Sequence, residues 1–241
     1  MVHQALLRIS QFPVLSTTRQ QLADHVLARI AARHKTALFF ANTNFIVKCR
    51  FVLDTLPDES VVLVNDGIGM DIAAKLVLKK RFADNLNGTD FTPFLFGQSR
   101  VPLRVFLLGG RPEVTARAAT HAQQVLGQDV VGFCDGYAGM RNTPELVQKI
   151  NASGAQVVLV AMGNPMQEQW ILDHRAVLDA NLLMGIGALF DFWSGDKQRA
   201  PELVKKLRLE WLYRLYLEPR RLLRRYTWDI VIFLGQCFKY R

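Results

Sequence analysis

Residues 61–71 read VVLVNDGIGMD. An aliphatic run ends at Asn65-Asp66, and glycines follow at 67 and 69. A short, continuously apolar run is what a strand buried on both faces requires. A helical pattern then runs from about Met70 to Lys80, so the unit is strand, tight loop, helix. The same unit recurs along the chain. Residues 37–41 form an apolar run before a helix expected near 45–53. Residues 103–108 end in Gly109-Gly110, and a helix opens near Pro112. Residues 130–133 precede a helix over 144–152. Residues 157–161 end in Gly163-Asn164-Pro165 before a helix through Trp170 to Leu178. Residues 182–186 end at Gly187. This alternation predicts an α/β fold built on a doubly wound, mostly parallel sheet. Its ligand is expected at the carboxyl edge of the strands, where the glycine-bearing tips gather.

The chain has 241 residues, half of them hydrophobic, enough for one large domain or a domain with an appendage. Cys49, Cys134 and Cys237 are widely spaced, which argues against a disulfide framework or a zinc site and for a reducing compartment. The first twenty residues lack the basic start and apolar core of a secretory signal. No apolar run reaches the length of a membrane span. The net charge is +9, and residues 196–241 hold 12 Lys/Arg against 5 acids, so nearly all of the excess sits there. We therefore divide the chain into a core, 1–195, and a basic, aromatic-rich helical appendage, 196–241. In the appendage Leu203, Leu207, Trp211, Leu215 and Tyr216 recur at helical spacing after Pro201. Pro219 interrupts the pattern, and Arg220, Arg221, Arg224, Arg225, Tyr226 and Trp228 follow. Interleaved arginines and aromatics suit an anionic membrane surface. A solvated basic face is the ordinary alternative, and nucleic-acid binding is a third reading of such a composition.

Asp66 is the first candidate for chemistry. Asp-Gly after a strand is an ordinary turn, but a carboxylate at a strand tip can also take a proton from an acceptor hydroxyl. Gly67 and Gly69 would let a substrate come close. Asn42 and Asn44 close the first core strand, where one can cap a helix and either can bind sugar hydroxyls. Asn87, Gly88 and Asp90 form a loop before a helix. Gly109 and Gly110 are a turn or a phosphate-facing tip. Gly163, Gln167 and Glu168 join a strand to a helix; Gln167 can donate to a phosphate or base edge, and Glu168 suits the positive helix end. Gly185, Gly187 and Asp191 lie in GIGALFDFWSG, a segment that can line a nucleotide-sized pocket or simply turn a hydrophobic corner. No Asp-x-Asp occurs, the five histidines show no ligand spacing, and neither a nucleophile elbow nor a phosphate loop is present. The glycines match the dinucleotide fingerprint poorly. A metal site, a hydrolase and a nucleoside triphosphatase therefore all lose ground.

Taken in order, these motifs resemble the WecG/TagA/CpsF family of bacterial glycosyltransferases. The resemblance covers roughly residues 40–225: Asn42-x-Asn44, DGIGM at 66–70, NGTD at 87–90, LLGG at 107–110, GNPMQEQW at 163–170, GIGALFDFWSG at 185–195, Arg199-Ala200-Pro201, and EWLYRLYLEPRRLLRRY at 210–226. It implies a Rossmann-like core and an inverting transfer from a UDP-sugar to an undecaprenyl-diphosphate-linked sugar, with no metal or other cofactor. Asp66 would be the base, and Asn44 and Gln167 would bind substrate. The appendage would meet the inner face of the cytoplasmic membrane, with Arg199, Arg214, Arg220, Arg221, Arg224, Arg225 and Trp228 toward lipid and diphosphate. A nucleic-acid partner is not implied; a homo-oligomer is compatible. Two positions depart from the family pattern: Asn85 stands where many relatives have Arg, and Asn42 where they often have Thr. Both make a glucose donor as reasonable as N-acetylmannosamine or its uronic acid. A non-catalytic assembly subunit and a soluble nucleotide-dependent enzyme are the competing expectations.

Overall fold

The computed structural model describes residues 5–137, 140, 142–201, 204 and 209–240, without the side chains of Arg214, Arg221, Arg224, Arg225 and Tyr226. The strands are β1 (Ala5–Ile9), β2 (Phe12–Ser16), β3 (Thr36–Ala41), β4 (Val61–Asn65), β5 (Arg104–Gly109), β6 (Asp129–Cys134), β7 (Val157–Ala161) and β8 (Leu182–Gly185). They form one sheet in the order β1-β2-β4-β3-β8-β7-β5-β6. Every neighbouring pair is parallel except β1 with β2. All six strands expected from the apolar runs are present. Every residue of β3, β4, β7 and β8 is buried, which explains why these strands read as continuous apolar runs rather than alternating ones.

The helices are α1 (Arg19–Ala31), α2 (Thr43–Lys48), α3 (Ile68–Ala73), α4 (Gly88–Gln98), α5 (Pro112–Gln124), α6 (Thr143–Ser153), α7 (Met166–His174) and α8 (Leu189–Trp193). One core layer packs α2, α3, α6 and α7 on the sheet, through Phe45, Ile46, Met70, Ala73, Ile150 and Ile171. The opposite layer packs α1, α4, α5 and α8, through Leu22, Val26, Phe91, Leu95, Val114 and Phe190. The sheet is thus doubly wound. The helix after β3 lies on the first layer and the helix after its neighbour β8 on the second. Their connections part at that point, which makes the carboxyl ends of these two strands the topological switch at which open α/β sheets bind ligands.

Three elements differ from the sequence expectation. The β1–β2 hairpin carries no expected turn signature: Ser10 and Gln11 take φ of 49° and 75° without an Asn-Gly or Asp-Gly pair, and Pro13 sits inside β2. The helix expected over 45–53 breaks at Cys49 into α2 and a 3₁₀ segment, Arg50–Thr55. The helix expected over 70–80 starts at Ile68 and loosens into a π-helical turn, Ala74–Leu78.

In the appendage the described helices are α9 (Glu210–Leu217), α10 (Pro219–Tyr226) and α11 (Trp228–Lys239). Pro219 begins a new helix, as its missing N–H permits. Leu203 and Leu207, expected at the start of the first appendage helix, lie outside the described residues. The last helix packs on the first layer, where Phe233 and Cys237 are buried in the same cluster as α2. The Arg50 guanidinium lies 5.1 Å over the Tyr240 ring. Residues 228–240 therefore continue the core layer. No helix among the described residues is long and apolar enough to cross a membrane.

Candidate active site at the carboxyl edge of the sheet

Asp66 directly follows β4. Its main-chain N–H donates to the Ala41 carbonyl at 2.7 Å, which extends the β3–β4 ladder by one step. Asn42 Nδ2 donates to Asp66 Oδ2 at 3.1 Å. The same Asn42 accepts from the Phe45 N–H through Oδ1 at 3.1 Å and so caps α2. The Asp66 carboxylate is half-buried, on the strand edge that carries the glycine tips.

The two glycines beside it do different work. Gly67 has φ of 87° and open space where a side chain would be. Its N–H donates to Asn85 Oδ1 at 2.7 Å. Asn85 thus fastens the loop that carries Asp66. Gly69 serves packing: a Cβ there would stand 2.4 Å from Thr43 Cγ2, so its absence lets α3 lie against α2.

A second polar group holds the tips of β7 and β8. Asn44 Nδ2 donates to Asn164 Oδ1 at 3.3 Å, Asn164 Nδ2 to Glu168 Oε1 at 2.7 Å, and Gln167 Nε2 to the same Oε1 at 2.8 Å. Gln167 Oε1 accepts the main-chain N–H groups of Gly163 at 3.1 Å and Gly187 at 3.0 Å. Gln167 and Glu168 are both buried. Sequence reading offered Gln167 to a phosphate or base edge; in the structure its amide bonds Glu168, Gly163 and Gly187. Burial pushes the Glu168 carboxyl above the usual range, while donors from Gln167, Cys49 and Asn164 partly offset this. Cys49 Sγ lies 3.7 Å from Glu168 Oε2. Burial and the neighbouring Glu168 raise its thiol far enough that it stays protonated. Gly185 passes close to Gln167, whose Nε2 would be 2.9 Å from an added Cβ. Gly163 and Gly187 face open space.

Asn87, Gly88 and Asp90 close the rim. Asn87 caps α4 by accepting the Asp90 N–H at 2.8 Å. Gly88 lies against Phe40 and within 3.5 Å, measured from a built Cβ, of Ile186 Cα. Helix α4 thus begins beside the carboxyl ends of β3 and β8. Arg199 donates to Asp90 Oδ1 at 2.7 Å and also approaches Glu210 at 3.9 Å. It therefore links the appendage to α4. Gly109 and Gly110 lie farther along the edge, where a Cβ on Gly109 would meet the Ala161 carbonyl oxygen at 2.4 Å. Asp191 pairs with Lys197 at 3.0 Å, and Lys197 with Glu218 at 3.1 Å. No described hydrogen bond ties these last three site candidates to Asp66.

Arg220 and Trp228 are exposed, Trp228 at 62%. The side chains of Arg214, Arg221, Arg224 and Arg225 lie outside the described residues. Sequence reading passed over Asn164, Cys49 and the clasp role of Asn85. A usable signal for Asn164 was present: Asn164, Gln167 and Glu168 sit three and four residues apart at a helix start, which places their polar groups on one side. Among the described residues, no cluster of three His, Cys, Asp or Glu side chains has the geometry to hold a metal.

Residues 7–241 match the family described as "Glycosyl transferase WecG/TagA/CpsF family". Among solved structures, a nicotinate phosphoribosyltransferase from Vibrio cholerae aligns at 14% identity and a TM-score of 0.25. That alignment covers 75% of this chain and 48% of the other, so the chain spans about half that protein's length.

Proposed function

Since this chain belongs to the WecG/TagA/CpsF glycosyltransferase family, we propose that it moves a sugar from a UDP-sugar to a polyprenyl-diphosphate-linked sugar during bacterial surface or exopolysaccharide synthesis. UDP-glucose, UDP-N-acetylmannosamine and its uronic acid are the candidate donors. Asp66 is the base. The observation that carries this reading is its position: a half-buried carboxylate at the carboxyl edge of the sheet, beside the switch point between β3 and β8, with Asn42 donating to it.

In the transfer, the acceptor hydroxyl oxygen forms a bond to the anomeric carbon while the bond from that carbon to the UDP oxygen breaks. The hydroxyl proton passes to Asp66, and the electron pair of the broken bond leaves with UDP. Attack from the face opposite UDP inverts the anomeric centre. General base assistance of this kind contributes on the order of 10²–10⁴-fold. The charge gathering on the leaving diphosphate needs fixed donors in a site shielded from water. In this reading the rim amides and the arginines of the appendage supply them. In this reading no metal takes part. The exposed Trp228, Val231 and Tyr216 bring the appendage to the inner surface of the cytoplasmic membrane, where the lipid-linked acceptor resides.

The test is a panel of UDP-sugars offered with short-chain polyprenyl-diphosphate-sugar acceptors to the full chain, read by product formation and UDP release. Asp66→Asn should lower transfer by about 10²-fold or more with an unchanged melting temperature. Normal turnover by this variant would remove Asp66 from the chemistry.

A further inference from the structure

Beyond Gly67 the chain runs through α3, the π-helical turn and a left-handed Lys79 into Lys80 and Arg81. The inner side of this segment is packed, with Met70, Ala73, Ala74 and Val77 buried. Its outer side exposes Ile72 and Leu76, each at 46%, four residues apart on one ridge. Lys75, Lys79, Lys80 and Arg81 are exposed around that ridge. Within 68–81 the only acid is Asp71. The next, Asp84, accepts the main-chain N–H groups of Arg19 and Asn85. None of the four cations has an ion pair among the described residues. Between this segment and the edge strand β1 lies a hollow of about 320 Å³, lined by Leu6, Leu7, Arg8, Val77, Leu78 and Lys80.

Aliphatic side chains ringed by exposed cations match the surface of an anionic bilayer. The cations reach headgroups while the aliphatic ridge enters the boundary with the acyl chains. A second protein is a poorer fit, because interface cores are depleted of Lys. The ridge lies in the helix layer that also carries the last appendage helix. Helix α3 lies against α2 through Gly69 and Thr43, and α2 carries α11, whose Trp228 and Val231 are exposed. All three helices share one layer.

We propose that the ridge of Ile72 and Leu76, with its ring of basic residues, is a second membrane contact that takes anionic phospholipid. This rests on the membrane-peripheral reading above, but it places a contact immediately after the loop of Asp66. Ile72 is four residues into α3, about 6 Å along its axis from the loop end. The carboxyl edge of the sheet is therefore held near the headgroups, where a lipid-linked diphosphate sugar is presented.

The experiment sediments the full chain with vesicles of phosphatidylcholine alone or mixed with phosphatidylglycerol. It compares the parent chain with Ile72→Glu/Leu76→Glu, Lys75→Glu/Lys79→Glu/Lys80→Glu and Trp228→Ala. Both ridge variants should bind the mixed vesicles roughly tenfold or more weakly, and the lysine variant should lose the preference for phosphatidylglycerol. Their turnover on a water-soluble short-chain acceptor should equal that of the parent. Parent-like binding by both ridge variants, with loss confined to Trp228→Ala, overturns the ridge and leaves the appendage reading standing. If the parent binds no vesicle, both fall together. If Ile72→Glu/Leu76→Glu changes the mass at sedimentation equilibrium and not vesicle binding, a second copy covers the ridge and the proposal is wrong.

Discussion

Asn42 Nδ2 donates to Asp66 Oδ2 across 3.1 Å, so the residue after β3 orients the carboxylate after β4. Its other amide atom caps α2. Asn42→Asp separates the two roles. The new carboxylate keeps an oxygen for the Phe45 N–H, so the cap of α2 should hold, while the like charge beside Asp66 should cost some stability at neutral pH. The substitution also replaces a donor to Asp66 with a like charge, which disfavours the ionised form of Asp66 and raises its pKa. With Asp66 as base, the acid limb of the kcat/KM profile should move to higher pH. A limb that stays in place while the fold is intact would break the link between this contact and catalysis.

The approach of α3 to α2 depends on a missing side chain. In Gly69→Ala the new Cβ would sit 2.4 Å from Thr43 Cγ2. Overpacking of this kind costs about 1–3 kcal/mol. Thr43→Ser removes that methyl, so adding it to Gly69→Ala should recover most of the loss. Urea unfolding of the two single variants and the double variant measures the coupling directly. Simple additivity would mean that the two helices separate at little cost.

Glu168 gives the fold a pH dependence of defined sign. Burial raises its folded pKa above the ordinary 4.5. The folded chain therefore holds this proton more tightly than the unfolded chain. The associated stability is fully present below 4.5 and is lost as pH rises through the folded value. Glu168→Gln cannot titrate and should lack this loss. The unfolding free energy of the parent relative to the variant should fall as pH rises above 4.5, in a series of denaturant titrations. A difference independent of pH would show that Glu168 does not change its protonation between the two states.

The central strands were legible in the sequence because strands buried on both faces have no polar side to confuse the pattern. Residues 157–161 and 182–185 could scarcely be anything else. The β1–β2 hairpin was not legible, since its left-handed turn falls on Ser10 and Gln11, residues that seldom take that conformation. The candidate site was legible by place: Asp66, Asn42 and Gly187 all stand at strand tips. Commitment was harder to read than place. Nothing in the letters QE at 167–168 tells whether these side chains face a ligand or each other, because that depends on how near β7 and β8 bring Gly163 and Gly187. The boundary at 195 followed a real change of charge pattern. The return of α11 to the core was hidden because its two packing residues, Phe233 and Cys237, are one helical turn apart in a segment that is apolar on several sides.

That return decides how the appendage should be tested. Removing 196–241 would strip Phe233 and Cys237 from the core layer and would confuse unfolding with loss of membrane contact. Point variants on opposite faces of α11 keep the two apart. Phe233 is 1% exposed, and Phe233→Ala should cost about 3–5 kcal/mol of stability. Trp228 is 62% exposed, so Trp228→Ala should shift stability by no more than about 0.5 kcal/mol. Its effect belongs on vesicle binding, because an amphipathic aromatic side chain favours the bilayer interface. Thermal melts and vesicle sedimentation on the same two proteins should therefore give opposite rankings. Equal loss of vesicle binding in both variants, at a temperature where each is folded, would mean that the helix contributes to membrane contact through its position and not through the exposed tryptophan.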